Sequence, residues 1–182
     1  MGKNKLIYRM SIDAMLIAIY FVLAKFTIPI GNIRITFATI AIIIPALLFS
    51  IPDTLVIALL GEFIIQWTGI YGLTITTPLW LVPPAIRGLI ISTIAYVYKK
   101  REDRLENHKV VYSITVISAA IITTVLNTLV MFLDAIIIGY PFEFVVVETI
   151  IRAAVGIGTS IVIGVICIPI VYALNKALKL PS

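Results

Sequence analysis

Ionisable and amide side chains interrupt the long apolar segments of this sequence at several points. Glu62 and Gln66 lie one helical turn apart, Arg87 lies in the next apolar segment, and Asn127 and Asp134 are seven residues apart in a later one. Charged groups in hydrocarbon are costly and usually face the interior of a helix bundle or a water-filled cavity. Arginine offers a planar fork of donors that fits a carboxylate, whereas Glu, Gln and Asn suit neutral donors and acceptors. This set favours noncovalent recognition of a small polar solute.

Structural roles are the alternative for the same side chains. Glu62 and Gln66 also suit hydrogen bonds between helices, which are common in membrane bundles. Arg87 could instead neutralise Glu62 or Asp134. Glu148 and Arg152 have i,i+4 spacing, so they form either an ion pair within one helix or part of the site.

Aromatic residues and one further arginine complete the set of candidates. Trp67, Tyr71 and Trp80 fall at the expected membrane edge, where they either form an ordinary aromatic belt or cover a ring of the ligand. Arg34 is expected at the mouth of the site. The predicted substrate-binding residues are Arg34, Glu62, Gln66, Trp67, Tyr71, Trp80, Arg87, Asn127, Asp134 and Arg152.

Catalytic and metal-binding patterns are missing from the sequence. The lone His108 lies in a charged segment and is expected to be solvated, and the single Cys167 lies in an apolar run and is expected to pack. No Ser/His pair, metal-ligand cluster or Gly-x-x-x-x-Gly-Lys-Ser/Thr phosphate loop is present. We therefore expect no catalytic residues, no metal and no cofactor. An intramembrane enzyme is a weaker alternative, as is an autonomous ion-coupled transporter, for which inverted repeats with broken helices would be needed.

The composition indicates that this chain is embedded in a lipid bilayer. Hydrophobic residues make up 61%, charged residues only 13%, and the mean hydropathy is +1.14. A soluble domain of this size has no core large enough to hide that much apolar surface. We therefore predict one all-α membrane domain over residues 1–182. Its six transmembrane helices are expected at about 8–26, 35–50, 54–69, 79–98, 111–138 and 144–176, with the fourth kinked or restarted at Pro83 and Pro84.

Basic residues predict the orientation, because positively charged flanks stay in the cytoplasm. With six spans, both termini, the turn at Pro52 and the 99–109 loop lie on one side, and the opposite loops hold only Arg34, with Lys25 close by. A nucleic-acid partner is not expected, because no basic face or binding module is visible. The side predicted to be cytoplasmic carries Lys3, Lys5, Arg9, Lys99, Lys100, Arg101, Arg104, Lys109, Lys176 and Lys179, ten of the fourteen basic residues.

Three short segments, together with the length and the six spans, give the chain a family resemblance. Ala14-Met15-Leu16-Ile17-Ala18 in the first helix resembles an AxxxA docking element, in which small residues four apart let another helix approach closely. Ile33-Arg34-Ile35-Thr36-Phe37 and Leu126-Asn127-Thr128 resemble segments of a folate-type branch. The chain thus resembles, over nearly its whole length, a substrate-binding S component of an energy-coupling factor (ECF) vitamin transporter.

The resemblance implies a function and partners. It implies a subunit of a bacterial or archaeal cell membrane that binds a vitamin from outside, docks through Ala14 and Ala18 on a transmembrane coupling subunit, and relies on two partner ATPases. Folate is the leading substrate implied, followed by pantothenate or another vitamin. The chain departs from the folate pattern at Ser50-Ile51-Pro52, at Glu62 in place of Asp, and at Leu81-Val82-Pro83-Pro84-Ala85.

Overall fold

The computed structural model describes residues 3–30, 33–69, 72–139 and 141–178, and it confirms a bundle of α-helices, to which it adds one two-stranded hairpin. By length and composition, α1, α4, α5 and α6 are suited to cross a bilayer. In chain order, the described residues form α1 (Lys3–Lys25), β1 (Thr27–Ile30), β2 (Ile33–Thr36), α2 (Ile40–Leu48), α3 (Ile51–Trp67), α4 (Thr77–Lys99), a 3-10 turn (Leu105–Asn107), α5 (Lys109–Ile138) and α6 (Phe142–Leu178).

The second predicted helix is much shorter than expected. The sequence analysis placed it at 35–50, but residues 27–30 and 33–36 pair as the two antiparallel strands of a hairpin, with Thr27 opposite Thr36, and α2 begins only at Ile40. Nine residues span about 14 Å, roughly half of the hydrocarbon thickness. The residues from Ala41 to Leu48 are all buried, because α2 lies inside the bundle among α1, α3, α4 and α6.

The fourth helix does not restart at its prolines. It runs continuously from Thr77 to Lys99 through Pro83 and Pro84, so the expectation of a restart was wrong. Both prolines fall within its first two turns, where the missing N–H groups leave only the carbonyls of Leu79 and Trp80 without their intrahelical donors. The local loss is small, and the helix continues to Arg87 and beyond.

The two ends of the bundle differ in packing. We call the end with residues 99–109 and the Ser50 turn the basic end, and the end with the hairpin and residues 72–76 the hairpin end. A large apolar core fills the basic half, where residues such as Leu47, Ile91, Tyr112, Cys167 and Val171 are almost fully buried. No comparable core fills the hairpin half in the part of the chain that the structure describes.

Small residues bring α5 and α6 close together. Gly156, Ser160 and Gly164 are spaced four apart on α6, as in membrane helices that pack through a flat face. A Cβ on Gly164 would lie 3.1 Å from a methyl carbon of Val116, and the Tyr112 hydroxyl donates to the Gly164 carbonyl at 2.8 Å. This contact secures the basic half of the pair.

An ion pair joins α1 to the start of α3 at the basic end. Arg9 binds the carboxylate of Asp53 through two nitrogens, with Nε 2.8 Å from Oδ1, and it also contacts the Ser50 hydroxyl. Asp53 in turn accepts the Ser50 backbone N–H at 3.1 Å, which caps the first turn of α3. The Asp53 carboxylate therefore both caps the N-terminus of α3 and links α3 to α1.

We expect Asp53→Ala to lower the free energy of unfolding by about 1 to 3 kcal/mol, because it removes both the cap and a partly exposed ion pair. Thermal unfolding of purified protein in detergent measures this loss. In an Arg9→Ala background the same substitution should cost less, because the ion pair is already gone. Strictly additive losses in this double-mutant cycle would show that the two side chains do not interact.

Candidate functional site

A cavity of about 1400 Å³ occupies the hairpin half of the bundle. Helices α1 to α6 and the end of β2 all contribute to its wall. It exceeds the range of about 300 to 1,000 Å³ typical of pockets for small molecules, and it holds an unusual number of polar groups for a membrane bundle. Its hydroxyl-bearing residues are Tyr20, Thr36, Thr39, Thr74, Thr123, Thr124, Thr159 and Ser160.

Arg87 enters this cavity from the middle of α4. Its Nη1 donates to the Thr39 hydroxyl at 2.6 Å and its Nε donates to the Thr123 hydroxyl at 3.2 Å. Among the described residues no carboxylate oxygen lies within 4.0 Å of the guanidinium. The charge is therefore stabilised by neutral dipoles, and the ion pair with Glu62 considered from the sequence is not formed.

Helices α3 and α4 pack closely together next to Arg87. The adjacent Gly88 faces Thr54, and a Cβ at Gly88 would lie 2.9 Å from the Thr54 methyl carbon. Thr54 is fully buried and donates its hydroxyl to the Ser50 carbonyl at 3.0 Å. The absence of a side chain at Gly88 thus lets the two helices approach one another beside the arginine.

Glu62 lies on the cavity wall with a donor on each oxygen. The Tyr20 hydroxyl of α1 donates to Oε2 at 2.9 Å, and the Gln66 side chain, one turn further along α3, donates to Oε1 at 2.8 Å. No cationic nitrogen lies within 4.0 Å of Glu62 among the described residues. The cavity thus contains an acidic and a basic group that do not neutralise one another directly.

The far wall of the cavity is formed by α5 and α6. Asn127 and Asp134 of α5 and Glu148 of α6 line it. Asp134 is only 9% exposed and lies next to Met131 and Ala135, which are packed against Val145 of α6. Acidic side chains are therefore present on both walls.

The structure brings six of the ten predicted binding residues together in the lining of one cavity: Glu62, Gln66, Trp80, Arg87, Asn127 and Asp134. Trp67 lies outside this lining, 63% exposed at the end of α3 and tilted against Phe63 with ring centroids 6.4 Å apart. The backbone of Arg34 pairs with that of Pro29 in the hairpin, and Arg152 lies in α6. The side chains of both arginines, and all of Tyr71, lie outside the described residues. The binding roles of these residues stay predictions.

Neutral hydroxyl groups are the part of the wall that the sequence analysis missed. Tyr20, Thr39 and Thr123 contact the two charged groups directly. Thr123 carried a usable signal, because it lies one turn before Asn127 on the same helical face. Tyr20 and Thr39 carried none, since isolated hydroxyl residues are common in membrane helices and become informative only through their neighbours.

His108 lies outside the cavity lining, at the basic end. It was expected to be merely solvated, but its Nε2 lies 2.5 Å from Oδ2 of Asp103 and its ring is tilted against Tyr98. This hydrogen bond, together with the Arg104 backbone N–H, lowers the pKa of Asp103 to about 2. Within the described ranges no three His, Cys, Asp or Glu side chains are grouped so as to hold a metal ion.

Solved structures of similar fold are S components of ECF transporters. The S component of a bacterial ECF transporter superimposes with a TM-score of 0.67 at 21% identity, covering 98% of this chain and 99% of that one. The S component for biotin from an ECF-type ABC transporter superimposes with a TM-score of 0.64 at 15% identity, covering 97% and 95%. At these identities the likeness concerns the fold. No curated protein matches the chain at a significant level.

A family model supplies the assignment that the solved structures do not. The model described as the S component of the ECF-type riboflavin transporter matches residues 4–176, which is nearly the whole chain. It therefore includes the helices that form the cavity and the helix that carries Ala14 and Ala18. The chain belongs to the family of S components of ECF-type riboflavin transporters, and it is a membrane-embedded transport component.

Proposed function

We propose that this protein is the high-affinity binding subunit of an ECF-type ABC transporter and that it captures a carboxylate-bearing vitamin from outside the cell. The observation that carries this proposal is Arg87, a guanidinium in a polar cavity with hydroxyl groups but no carboxylate beside it. An arginine in such a position binds a carboxylate in bidentate fashion and gains a charge-assisted pair that the empty site does not provide.

Folate is the leading ligand in this proposal, followed by pantothenate. Folate combines carboxylates with a ring edge that carries N–H donors. Arg87 suits the first group, and Glu62, which has acceptor capacity beyond its bonds from Tyr20 and Gln66, suits the second. Trp80 lies in the same wall and offers a ring face for stacking.

Riboflavin is the second candidate, and the description of the matching family favours it. It is uncharged and carries a chain of hydroxyl groups. The threonine and serine hydroxyls of the cavity are suitable partners for such a chain, since each both donates and accepts. In that case Arg87 would donate to carbonyl or hydroxyl oxygens of the ligand.

The proposed topology has six spans, with both termini in the cytoplasm and the cavity facing outward. The short α2 and its preceding hairpin together act as one crossing, since the chain passes from the hairpin end to the basic end between Thr36 and Ser50. The basic loop at 99–109 and the N-terminal Lys and Arg residues then share the cytoplasmic side, as the distribution of positive charge requires.

Helix α1 is the proposed docking surface for the transmembrane coupling subunit. Ala14 and Ala18 are exposed, and they lie among exposed apolar side chains such as Met15, Ile19 and Val22. This face has small side chains at its centre and larger apolar side chains at its borders, which suits close helix packing in a membrane. The chain has no phosphate loop of its own, so energy would come from two ATPase subunits bound to the coupling subunit, while this chain itself catalyses no reaction.

The topology can be tested with single cysteines in a Cys167→Ala background. Ile75→Cys lies at the hairpin end and Lys100→Cys at the basic end, and both positions are exposed. A membrane-impermeant maleimide applied to intact cells should label position 75 and should label position 100 only after the membrane is opened. Labelling of both positions in intact cells would contradict the six-span arrangement.

The docking surface can be tested with Ala14→Trp and Ala18→Trp, each of which places a bulky ring on the flat face of α1. Vitamin binding to the isolated protein should be preserved, while vitamin uptake by cells that express the complete transporter should fall at least about tenfold. Ala154→Trp is the matched control, because Ala154 is an exposed alanine on α6. Unchanged uptake in the Ala14→Trp, Ala18→Trp double variant would exclude this face as the docking surface.

The ligand class can be tested with Arg87→Ala. Loss of a charge-assisted contact in a poorly solvated site should weaken folate binding by at least about 30-fold, as measured by quenching of tryptophan fluorescence or by calorimetry. Arg34→Ala should weaken it less, because a residue at the mouth is better hydrated. Arg101→Ala, which removes an exposed arginine at the basic end, is the matched control.

Riboflavin is titrated in parallel to separate the two candidate ligands. Tight binding of riboflavin and none of folate would replace the first candidate with the second. Near-normal folate affinity in a well-folded Arg87→Ala protein would remove Arg87 from the site and, with it, the argument for an anionic ligand.

A further inference from the structure

The residue that carries this inference is Tyr20, which no sequence pattern singled out. Its side chain is only 3% exposed, yet its hydroxyl reaches the cavity and donates to Glu62 Oε2 at 2.9 Å. Gln66 holds the other oxygen at 2.8 Å. The carboxyl group therefore has one donor from α1 and one from α3, and its orientation depends on both helices.

The position of the Tyr20 ring is set by the backbone of α3. A Cβ at Gly61 would lie 2.7 Å from Cδ1 and 2.8 Å from Cγ of the ring, so the ring occupies the space that a side chain at position 61 would need. Tyr20 also packs with Ala38, Ala41, Ile42 and Ala58, which close the space around it. Packing thus restricts the Tyr20 ring to one position, and this keeps its hydroxyl group at a constant place beside Glu62.

We propose that Tyr20 is a positioning residue for ligand binding, which holds the Glu62 carboxyl group so that its remaining lone pairs face the cavity and accept N–H groups of the ligand. A carboxyl group held by two neutral donors still has acceptor capacity, since its two oxygens offer about four lone-pair sites. The inference rests on the proposed function in one respect, namely that the ligand carries N–H donors.

The location of Tyr20 gives the contact a second consequence. Tyr20 lies two residues beyond Ala18 on α1, the helix with the exposed small-residue face. Among the described side chains, the hydrogen bond from Tyr20 to Glu62 ties α1 to the cavity wall, whereas the hydrogen bonds from Arg9 and Lys25 to α3 and its C-terminal end lie near the two ends of α1. A ligand that binds Glu62 therefore acts on a group that α1 itself holds in place.

A double-mutant cycle on ligand affinity tests the positioning role. Tyr20→Phe removes only the hydroxyl, and Glu62→Met removes the carboxyl group at similar volume. With folate and riboflavin as the probes, Tyr20→Phe should weaken binding about tenfold or more in the native background and less than about twofold in the Glu62→Met background. Equal losses in the two backgrounds, or no loss in either, would overturn the inference.

Tyr112→Phe is the control for loss of a buried tyrosine hydroxyl. Tyr112 is 2% exposed and donates to the Gly164 carbonyl in the basic half, away from the cavity wall. It should lower thermal stability without changing affinity. If Tyr20→Phe behaves in the same way as Tyr112→Phe, Tyr20 has a structural role alone and the inference is wrong.

Gly61→Ala provides a second variant in case Tyr20→Phe does not fold. Its methyl group would displace the Tyr20 ring while the hydroxyl remains, so the affinity should again fall. Gly158→Ala is its control, because a Cβ at Gly158 meets no atom within 4 Å. Normal affinity in folded Gly61→Ala protein would count against the need for a fixed ring and overturn the inference.

A measurement without ligand separates this inference from the proposed function. Infrared difference spectra identify the carboxyl bands of Glu62 as those that Glu62→Met removes. Tyr20→Phe should shift these bands in ligand-free protein, because one oxygen loses its donor. Unshifted bands would overturn the inference even if the native protein binds folate. Shifted bands in a protein that binds neither vitamin would show that Tyr20 positions Glu62 through its hydrogen bond, and they would contradict the proposed ligands.

Discussion

A polar group inside a membrane bundle must find its partners within the protein or in trapped solvent, and the hairpin half of this molecule is organised by that requirement. Arg87 of α4 and Glu62 of α3 are ionisable groups in the lining of the same cavity, and each is hydrogen-bonded to neutral groups. A direct ion pair between them would have satisfied both groups and closed the space. Because hydroxyl and amide groups are their partners instead, both ionisable groups remain in the polar lining of the cavity.

The Tyr20 hydroxyl reaches Glu62 because α1 and α3 approach closely at a residue without a side chain. Gly61 admits the ring of Tyr20, whose hydroxyl donates to Glu62 at 2.9 Å. Gly88 admits Thr54 beside Arg87, whereas the hydroxyl groups that contact Arg87 belong to Thr39 and Thr123. A larger residue at Gly61 would displace the Tyr20 ring and disturb its hydrogen bond to Glu62, so close backbone approach and the chemistry of the cavity are linked at this position.

The sequence predicted several ionisable and amide residues of the cavity lining, but it did not predict their hydrogen-bond partners. Glu62, Gln66, Arg87, Asn127 and Asp134 were identifiable because ionisable and amide side chains are rare in apolar spans. Their contacts were not, because the hydroxyl of Tyr20 and those of Thr39 and Thr123 come from other helices and no spacing along the chain reports them. The helix type of each long span was predictable from its apolar length.

The second span was mispredicted for a physical reason as well. The second span was expected to begin at residue 35, yet residues 35 and 36 belong to strand β2 and α2 begins only at Ile40, because hydropathy does not distinguish a strand from the end of a buried helix. The distinction depends on the tertiary surroundings of the segment, which the sequence of this region alone does not contain.

The length of α2 explains why the cavity opens at one end only. Nine helical residues fill the basic half of the bundle interior, where α2 packs against the core that includes Ile91, Tyr112 and Cys167. In the hairpin half the described residues before α2 form a pair of strands instead of a central helix, and α1, α3, α4, α5 and α6 surround open space. A second helix of full length would fill this space with apolar side chains and leave Arg87 without room for a ligand. In the proposed function, a solute that enters from the hairpin end would meet Arg87 and Glu62 and then the apolar core of the basic half, so its release on the other side would require movement of the bundle or of its helices.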